Sequence, residues 1–289
     1  MVSRNSRSAS EATGLESSNS KSASEATGFG LRLVLTQTRY ALLLSFRDPR
    51  AVVFGIAFPI VLLVMFNAIF VSGSSDTVHF AGGTISGQAY FTAGIAAYAI
   101  GLSTFTTLVV GLTTQREAGQ LKRLRGTPMP PWTFLAAQVL RSVVRGLMTV
   151  VALFAIGAIA FGVHLSAERL VGLVAYVALG TAAFTTLGMA VTALTPTAEA
   201  ASAVGPFAVV ILSFISGVFI PVDQIPTWLE SVGKVFPLYH LADGLQTSLV
   251  SGGGTGLATG DVVSLALWGL AGLLIAKRHF RWEPQAARG

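Results

Sequence analysis

Apolar residues in this chain do not alternate with polar ones. They run together in blocks of about twenty, the length a helix needs to cross about 30 Å of hydrocarbon. Six blocks stand out, at 51–71, 90–112, 143–163, 170–194, 200–222 and 260–277. The first is interrupted only by Pro59 and Asn67, and the second carries no charge. The third belongs to a longer helix starting near Trp132, with Arg141 and Arg145 on one face near its entrance, placed to snorkel to the interface. Gly172, Gly180 and Gly188 recur every eight residues in the fourth, and the fifth carries Pro206 and Pro221. The sixth is short, with Asp261 at one end and Lys277-Arg278 at the other.

The segments outside these blocks follow other patterns. Residues 1–29 repeat a Ser- and Ala-rich unit, Ser6–Gly14 echoed by Ser20–Gly28, and hold too few apolar groups to offset the entropy of ordering, so a disordered tail is predicted. Residues 282–289 form a second tail. Over 30–50, Arg32, Thr36, Arg39 and Arg47 share one helical face while Leu31, Leu35, Leu42 and Phe46 lie elsewhere, which predicts an amphipathic helix lying in the membrane interface. Between the fifth and sixth blocks, Pro226 and Pro237 each open a short amphipathic helix. Such a pair dips back into the bilayer, where its backbone must be covered by protein or line a watery cavity. An external gate formed with Pro221, Pro226, Trp228, Pro237, Tyr239 and Asp243 is the expectation.

Composition sharpens the class. With 52% hydrophobic and 11% charged residues the chain has too little charge to cover a water-soluble fold. The absence of cysteine excludes disulfides and thiolate metal sites. The net charge of +6 is explained by loops biased toward Lys and Arg, and nucleic acid is not a predicted partner. Seven Lys or Arg precede the first block, four lie between the second and third beside the Arg141/Arg145 pair, and four follow the sixth. The other loops contribute Arg169 and Lys234 alone, so both termini and the segment Thr113–Trp132 are predicted to be cytoplasmic. The fold class expected is an all-α polytopic membrane domain over 51–281 with six transmembrane helices.

Chemistry is sparse. No G-x-x-x-x-G-K-[ST] occurs, and the run Gly252–Gly256 has no lysine, so ATP hydrolysis is not expected from this chain. His79, His164, His240 and His279 lack metal-ligand spacing and read as polar surface or interface residues. Asp223, Glu230, Asp243 and Asp261 gather around the hairpin and read as solvated outer carboxylates. Asn67, Tyr98, Thr104 and Thr107 are the groups best placed to face a central pathway, although threonines can equally bond back to their own helix.

Thr113–Trp132 is the one densely charged segment between two long apolar runs. Its core, Gln115-Arg116-Glu117-Ala118-Gly119-Gln120-Leu121-Lys122-Arg123-Leu124-Arg125-Gly126-Thr127-Pro128, resembles the cytoplasmic loop of the type-2 ABC exporter permeases, the group that includes the daunorubicin-resistance and nodulation-factor permeases. Ser216–Pro221, Ile225–Leu229 and Phe236–Leu245 are similar to that family's end of span five and external hairpin. The resemblance covers Leu31 to Arg281. It implies a coupling helix in which Arg116, Glu117, Gln120, Lys122 and Arg123 face a cytosolic ATPase. Two departures stand out: Gln115 occupies a position where many relatives are acidic, and Gln246 one where an arginine often closes the hairpin motif.

The resemblance further implies two ATPase subunits carrying ATP and Mg2+, a second copy of this permease or a related one, membrane lipids around them, and no cofactor on this chain itself. The few tyrosines and tryptophans in the spans favour an amphipathic drug or lipid-like passenger, exported across a bacterial inner membrane. A polysaccharide or glycolipid exporter and a non-transporting membrane anchor are the alternatives. An ion-coupled carrier would want buried carboxylates near the midplane, and no Asp or Glu interrupts the six apolar cores.

Overall fold

A computed structural model describes residues 36, 38, 55, 57–71, 77–126, 131–250 and 254–279. The predicted tails, most of the interfacial helix, the first residues of span one and Thr127–Pro130 lie outside the described residues. The elements, in chain order, are α1 (Phe58–Phe70), a two-stranded ribbon β1 (Thr77–Phe80) and β2 (Gly83–Ser86), α2 (Gly87–Ile100), a π-helical segment (Gly101–Thr106), α3 (Thr107–Glu117), α4 (Gln120–Arg125), α5 (Pro131–Phe161), α6 (Leu170–Leu194), α7 (Ala198–Ile215), α8 (Thr227–Gly233), α9 (Pro237–Thr247) and α10 (Thr259–His279). Five continuous helical stretches are long and apolar enough to cross a membrane: Gly87–Glu117, Thr133–Phe161, Ala167–Leu194, Ala198–Ile215 and Thr259–His279. The shorter apolar α1 precedes them, so the chain is a mostly helical multi-pass membrane protein.

The second span is the most buried of the five; the third, fourth and fifth pack against it, and the sixth packs against the fourth. It runs through three segments without leaving the helical path. The π-helical segment Gly101–Thr106 coincides with hydroxyls that bond backward, Ser103 Oγ (3.4 Å) and Thr104 Oγ1 (2.6 Å) both donating to the Ile100 carbonyl. Close approach is possible here because α7 presents Gly205, where a Cβ would sit 3.1 Å from the Thr106 methyl.

The eight-residue glycine repeat of α6 serves three neighbours rather than one. Eight residues advance about 80° beyond two full turns, so each glycine faces a new direction. A Cβ at Gly172 would collide with the Thr255 carbonyl, one at Gly180 would sit 2.5 Å from Leu241 of α9, and one at Gly188 3.2 Å from the Phe105 carbonyl.

Three features depart from the sequence reading. The second span extends to Glu117, five residues past its predicted end, because Thr113 and Arg116 are buried and continue the helix. The fifth ends at Ile215, not near 222: Gly217 takes φ +71°, and the chain folds back so that Val218 and Phe219 are buried. There Phe219 meets Phe66, Tyr98 and Phe214 at ring-centroid distances of 5.2–5.3 Å. The β1–β2 ribbon, paired in antiparallel register Thr77 with Ser86 through Phe80 with Gly83, lies where only a loop was expected.

Gly172→Ala should lower the melting temperature in detergent, by an amount equivalent to about 1–3 kcal/mol of overpacking. Gly111→Ala, whose Cβ would meet open space, should leave it unchanged or raise it. Paired thermal unfolding of the two variants checks both outcomes.

Candidate functional site

The charged segment predicted as a basic helix is built from two pieces. Helix α3 runs on to Glu117 and stops at Ala118; Gly119, at φ +68°, turns the chain, and α4 then occupies only Gln120–Arg125. A left-handed conformation at that turn is easy for glycine and strained for residues with a Cβ. On α4, Leu121 is buried while Gln120, Lys122, Arg123 and Arg125 are exposed. Leu121 enters an apolar cluster made by Leu108 and Leu112 of α3, Phe134 of α5, Met189 of α6 and Ala276 of α10. This leucine thus anchors the basic helix in a cluster drawn from four spans, with its cations turned outward.

Arg116 corrects the sequence reading. Expected to face a partner, it is 2% exposed. Its Nη1 donates to the Thr192 carbonyl at 2.7 Å, and its Nη2 to the carbonyls of Thr195 and, at 3.0 Å, Pro196. The last carbonyls of a helix have no partner within it and carry the negative end of its dipole, so this guanidinium closes the C-terminus of α6. Glu117 is exposed but engaged, its Oε1 accepting from the amide of Ala198, the first residue of α7. That amide is an orphan donor at the positive end of α7, and the Thr197 hydroxyl accepts from Ala200 one step further on, at 3.2 Å. Two consecutive residues of α3 therefore hold both ends of the turn between the fourth and fifth spans, each with the charge its helix terminus favours.

At the opposite end of the bundle lies the helical hairpin. Pro226 caps α8 and Pro237 is the first residue of α9, as their positions suggested. The two helices differ in burial. On α8 the expected apolar face is open, with Trp228 68% exposed and Val232 and Val235 also exposed. On α9, Leu238, Leu241 and Leu245 are buried against the second, fourth and sixth spans, and Leu249 just past its end is buried as well. Gly244 admits the Tyr176 ring, which a Cβ would displace. Pro221 is buried at the start of the return from α7, and Tyr239 is buried on α9.

Asp243 and Asp261 are 8% and 7% exposed, whereas solvated carboxylates were expected; Asp223 alone of the four is exposed. Burial, then the neighbouring Asp261, pushes the Asp243 carboxyl up to about 7, although His240 and the Gly82 amide pull it down. His240, read as a surface residue, places Nδ1 2.7 Å from Asp261 Oδ1 and Nε2 2.8 Å from the Lys234 carbonyl oxygen. Burial opposes its charge, yet those two hydrogen bonds prevail and hold its pKa above the ordinary imidazole value. Nothing in the apolar periodicity marked this cluster, because its members come from two helices 21 residues apart in sequence.

The four pathway candidates are not gathered on an open surface. Asn67 Nδ2 donates to Leu63 O at 2.9 Å, Tyr98 stacks beside Phe219, and Thr104 bonds back to Ile100; all three are buried. Thr107 alone is exposed.

Replacing Arg116 by Met should leave the carbonyls of Thr192, Thr195 and Pro196 without their charged donor. A loss of about 3 kcal/mol or more is expected. Glu117→Gln, at an exposed terminus, should cost under about 1 kcal/mol. The measurement is thermal or denaturant unfolding in detergent.

A Bacillus subtilis (strain 168) protein named "Putative transport permease YvfS" is 25% identical over 166 residues, which is 57% of this chain and 67% of the relative. The profile described as ABC-2 type transporter matches residues 32–250, a region holding α4, the Arg116–Glu117 clip and the helical hairpin. With that match spanning most of its length, the chain belongs to the ABC-2 type transporter family, whose members are membrane permease subunits that work with an ABC ATPase.

Proposed function

We propose that this chain is the transmembrane half of an ATP-driven exporter, carrying an amphipathic or hydrophobic molecule from the cytoplasm or inner leaflet outward. The observation that supports the reading most is α4. Its Leu121 is seated among residues of α3, α5, α6 and α10, and its outer face carries Lys122, Arg123 and Arg125. A force applied by an ATPase to such a helix reaches several spans together. The Arg116–Glu117 clip lies at the foot of α4 and passes the same displacement to the ends of α6 and α7. Within this proposal Gln120, Lys122 and Arg123 contact the ATPase directly, while Arg116 and Glu117 act as positioning residues.

Charge supports the orientation. Lys122, Arg123, Arg125, Lys277 and Arg278 are exposed at the end that holds α4. At the hairpin end Arg169 is turned inward, its Nη1 donating to the Thr247 carbonyl at 3.1 Å. Positive loops stay cytoplasmic, so the α4 end faces the ATPase and the hairpin end faces outward. The outer surface of the bundle, with Val61, Val64 and Ile69 of α1, Phe207 and Ile211 of α7 and Leu267 and Leu270 of α10, is apolar and fits lipid or a second permease copy. A lipid-like or drug-like passenger is favoured over a sugar because Tyr90, Tyr98, Tyr176 and Tyr239 are all packed inside the chain, leaving no described tyrosine free for a stacking ladder.

The test reconstitutes the chain in liposomes with a candidate ABC ATPase and measures ATP hydrolysis with amphipathic compounds added. Lys122→Glu/Arg123→Glu should abolish the response to those compounds while leaving the melting temperature unchanged, since both side chains are exposed. A double variant that still responds like the wild type would reject α4 as the coupling element and favour an anchoring role.

A further inference from the structure

The cluster at the hairpin end is not used by coupling, and its hydrogen bonds make a demand on protons. Both ring nitrogens of His240 face acceptors, the Asp261 carboxylate and a backbone carbonyl. A carbonyl can only accept, so both contacts are satisfied together when the ring carries two N–H groups and is an imidazolium. Asp243 and Asp261 are both buried, and the Asp261 charge acts on the Asp243 carboxyl. Two ionised carboxylates offer no donor between them, so one must hold a proton. Asp261 is engaged by the imidazolium, which assigns the proton to Asp243. Imidazolium, carboxylate and carboxylic acid together are neutral, as a buried group of this size requires.

The cluster also joins elements distant in sequence. Asp243 receives the amide of Gly82 in the β1–β2 turn, where a Cβ would collide with the Thr247 hydroxyl. Through Asp261 it reaches the first turn of α10, and through His240 the C-terminal end of α8. Two neutral bonds follow the same seam, the Tyr176 hydroxyl oxygen accepting from the Ala258 amide at 2.8 Å and Trp268 Nε1–H donating to the Val235 carbonyl at 2.9 Å. An independent sign of polar demand is the Tyr239 hydroxyl, buried one turn before Asp243 with no hydrogen-bond partner among the described residues.

We propose that Asp243, Asp261 and His240 form a proton-binding site that clamps α9 and the β1–β2 turn to the first turn of α10, so that bound protons hold this end of the bundle shut and their release loosens it. Losing the Asp243 proton sets two carboxylates side by side in a buried site, and their repulsion falls on the α9–α10 contact. The surrounding charges do not cancel it. From α8, Lys234 is paired with Glu230 at 2.7 Å; from the turn before α6, Arg169 is bonded to the Thr247 carbonyl; His79 of β1 is bonded to the Thr84 hydroxyl. Tyr90 of α2, Tyr176 of α6 and Tyr239 of α9 are buried phenols, and Asp223 is exposed and adds negative charge. In the orientation proposed above the site would report the pH outside the membrane, but the proton site itself does not depend on that orientation.

The experiment uses the permease alone in detergent, without ATPase or cargo, so its outcome is separate from that of the coupling test. Infrared difference spectra between about pH 5 and about pH 8 should show the carbonyl band of a protonated carboxylic acid that disappears as pH rises through about 7, and Asp243→Asn should lack that band. The asparagine can still donate to Asp261 and accept from Gly82, so this variant keeps the clamp closed without a proton. The chain has no cysteine, and Ser248→Cys places a single near-isosteric thiol at the buried C-cap of α9. At about pH 8, labelling of that thiol by a maleimide should be several-fold slower in the Asp243→Asn background, where thiol ionisation is matched by the shared pH. A band that persists in Asp243→Asn, or equal labelling rates in the two backgrounds, would overturn the proposal.

Discussion

A helix end leaves carbonyls or amides that its own helix cannot satisfy, and much of this protein's architecture answers that constraint. Arg116 closes the C-terminus of α6, Glu117 the N-terminus of α7, and Arg169 the C-terminus of α9. In each case the sign of the side chain matches the end of the helix dipole it meets. These are long-range ties, joining residues 76 to 81 positions apart for Arg116 and Glu117. The turn between the fourth and fifth spans is therefore held by the foot of the second.

That arrangement gives the two ends of the bundle different characters. At the α4 end, fixed charges are used once, on helix termini, and the cations of α4 and of the end of α10 are exposed. At the hairpin end, ionisable groups are paired with each other inside the fold, and their charge depends on shared protons. Between the ends, packing is governed by small residues. Glycines of α6 and α7 admit neighbouring backbone or side chains, which is how helices associate where lipid is as apolar as the side chains themselves.

Much of the fold was legible because the bilayer imposes a length and a composition. Leu170–Leu194 lies in the structure at its predicted bounds. The start of α9 at Pro237 followed from proline's fixed φ and missing N–H. The end of α7 did not follow: residues 216–222 are as apolar as a span, and only the turn at Gly217 and the aromatic contacts of Phe219 remove them from the helix. The β1–β2 ribbon was hidden for a related reason. Strands of four residues are too short to give a period that stands out from a loop.

By itself the sequence determined the class of protein, the position of most spans, the uneven distribution of positive charge among the loops and the location of the basic segment. Each is a property of one stretch and its neighbours along the chain. Only the tertiary structure decided that Arg116 points inward to a helix end while Lys122 and Arg123 point outward, because which face of a short charged helix is covered depends on what packs against it. The same holds for Asp243, Asp261 and His240. As isolated letters in polar loops they read as solvated. Their burial, and the protons it obliges them to share, arise from folding α9 against α10.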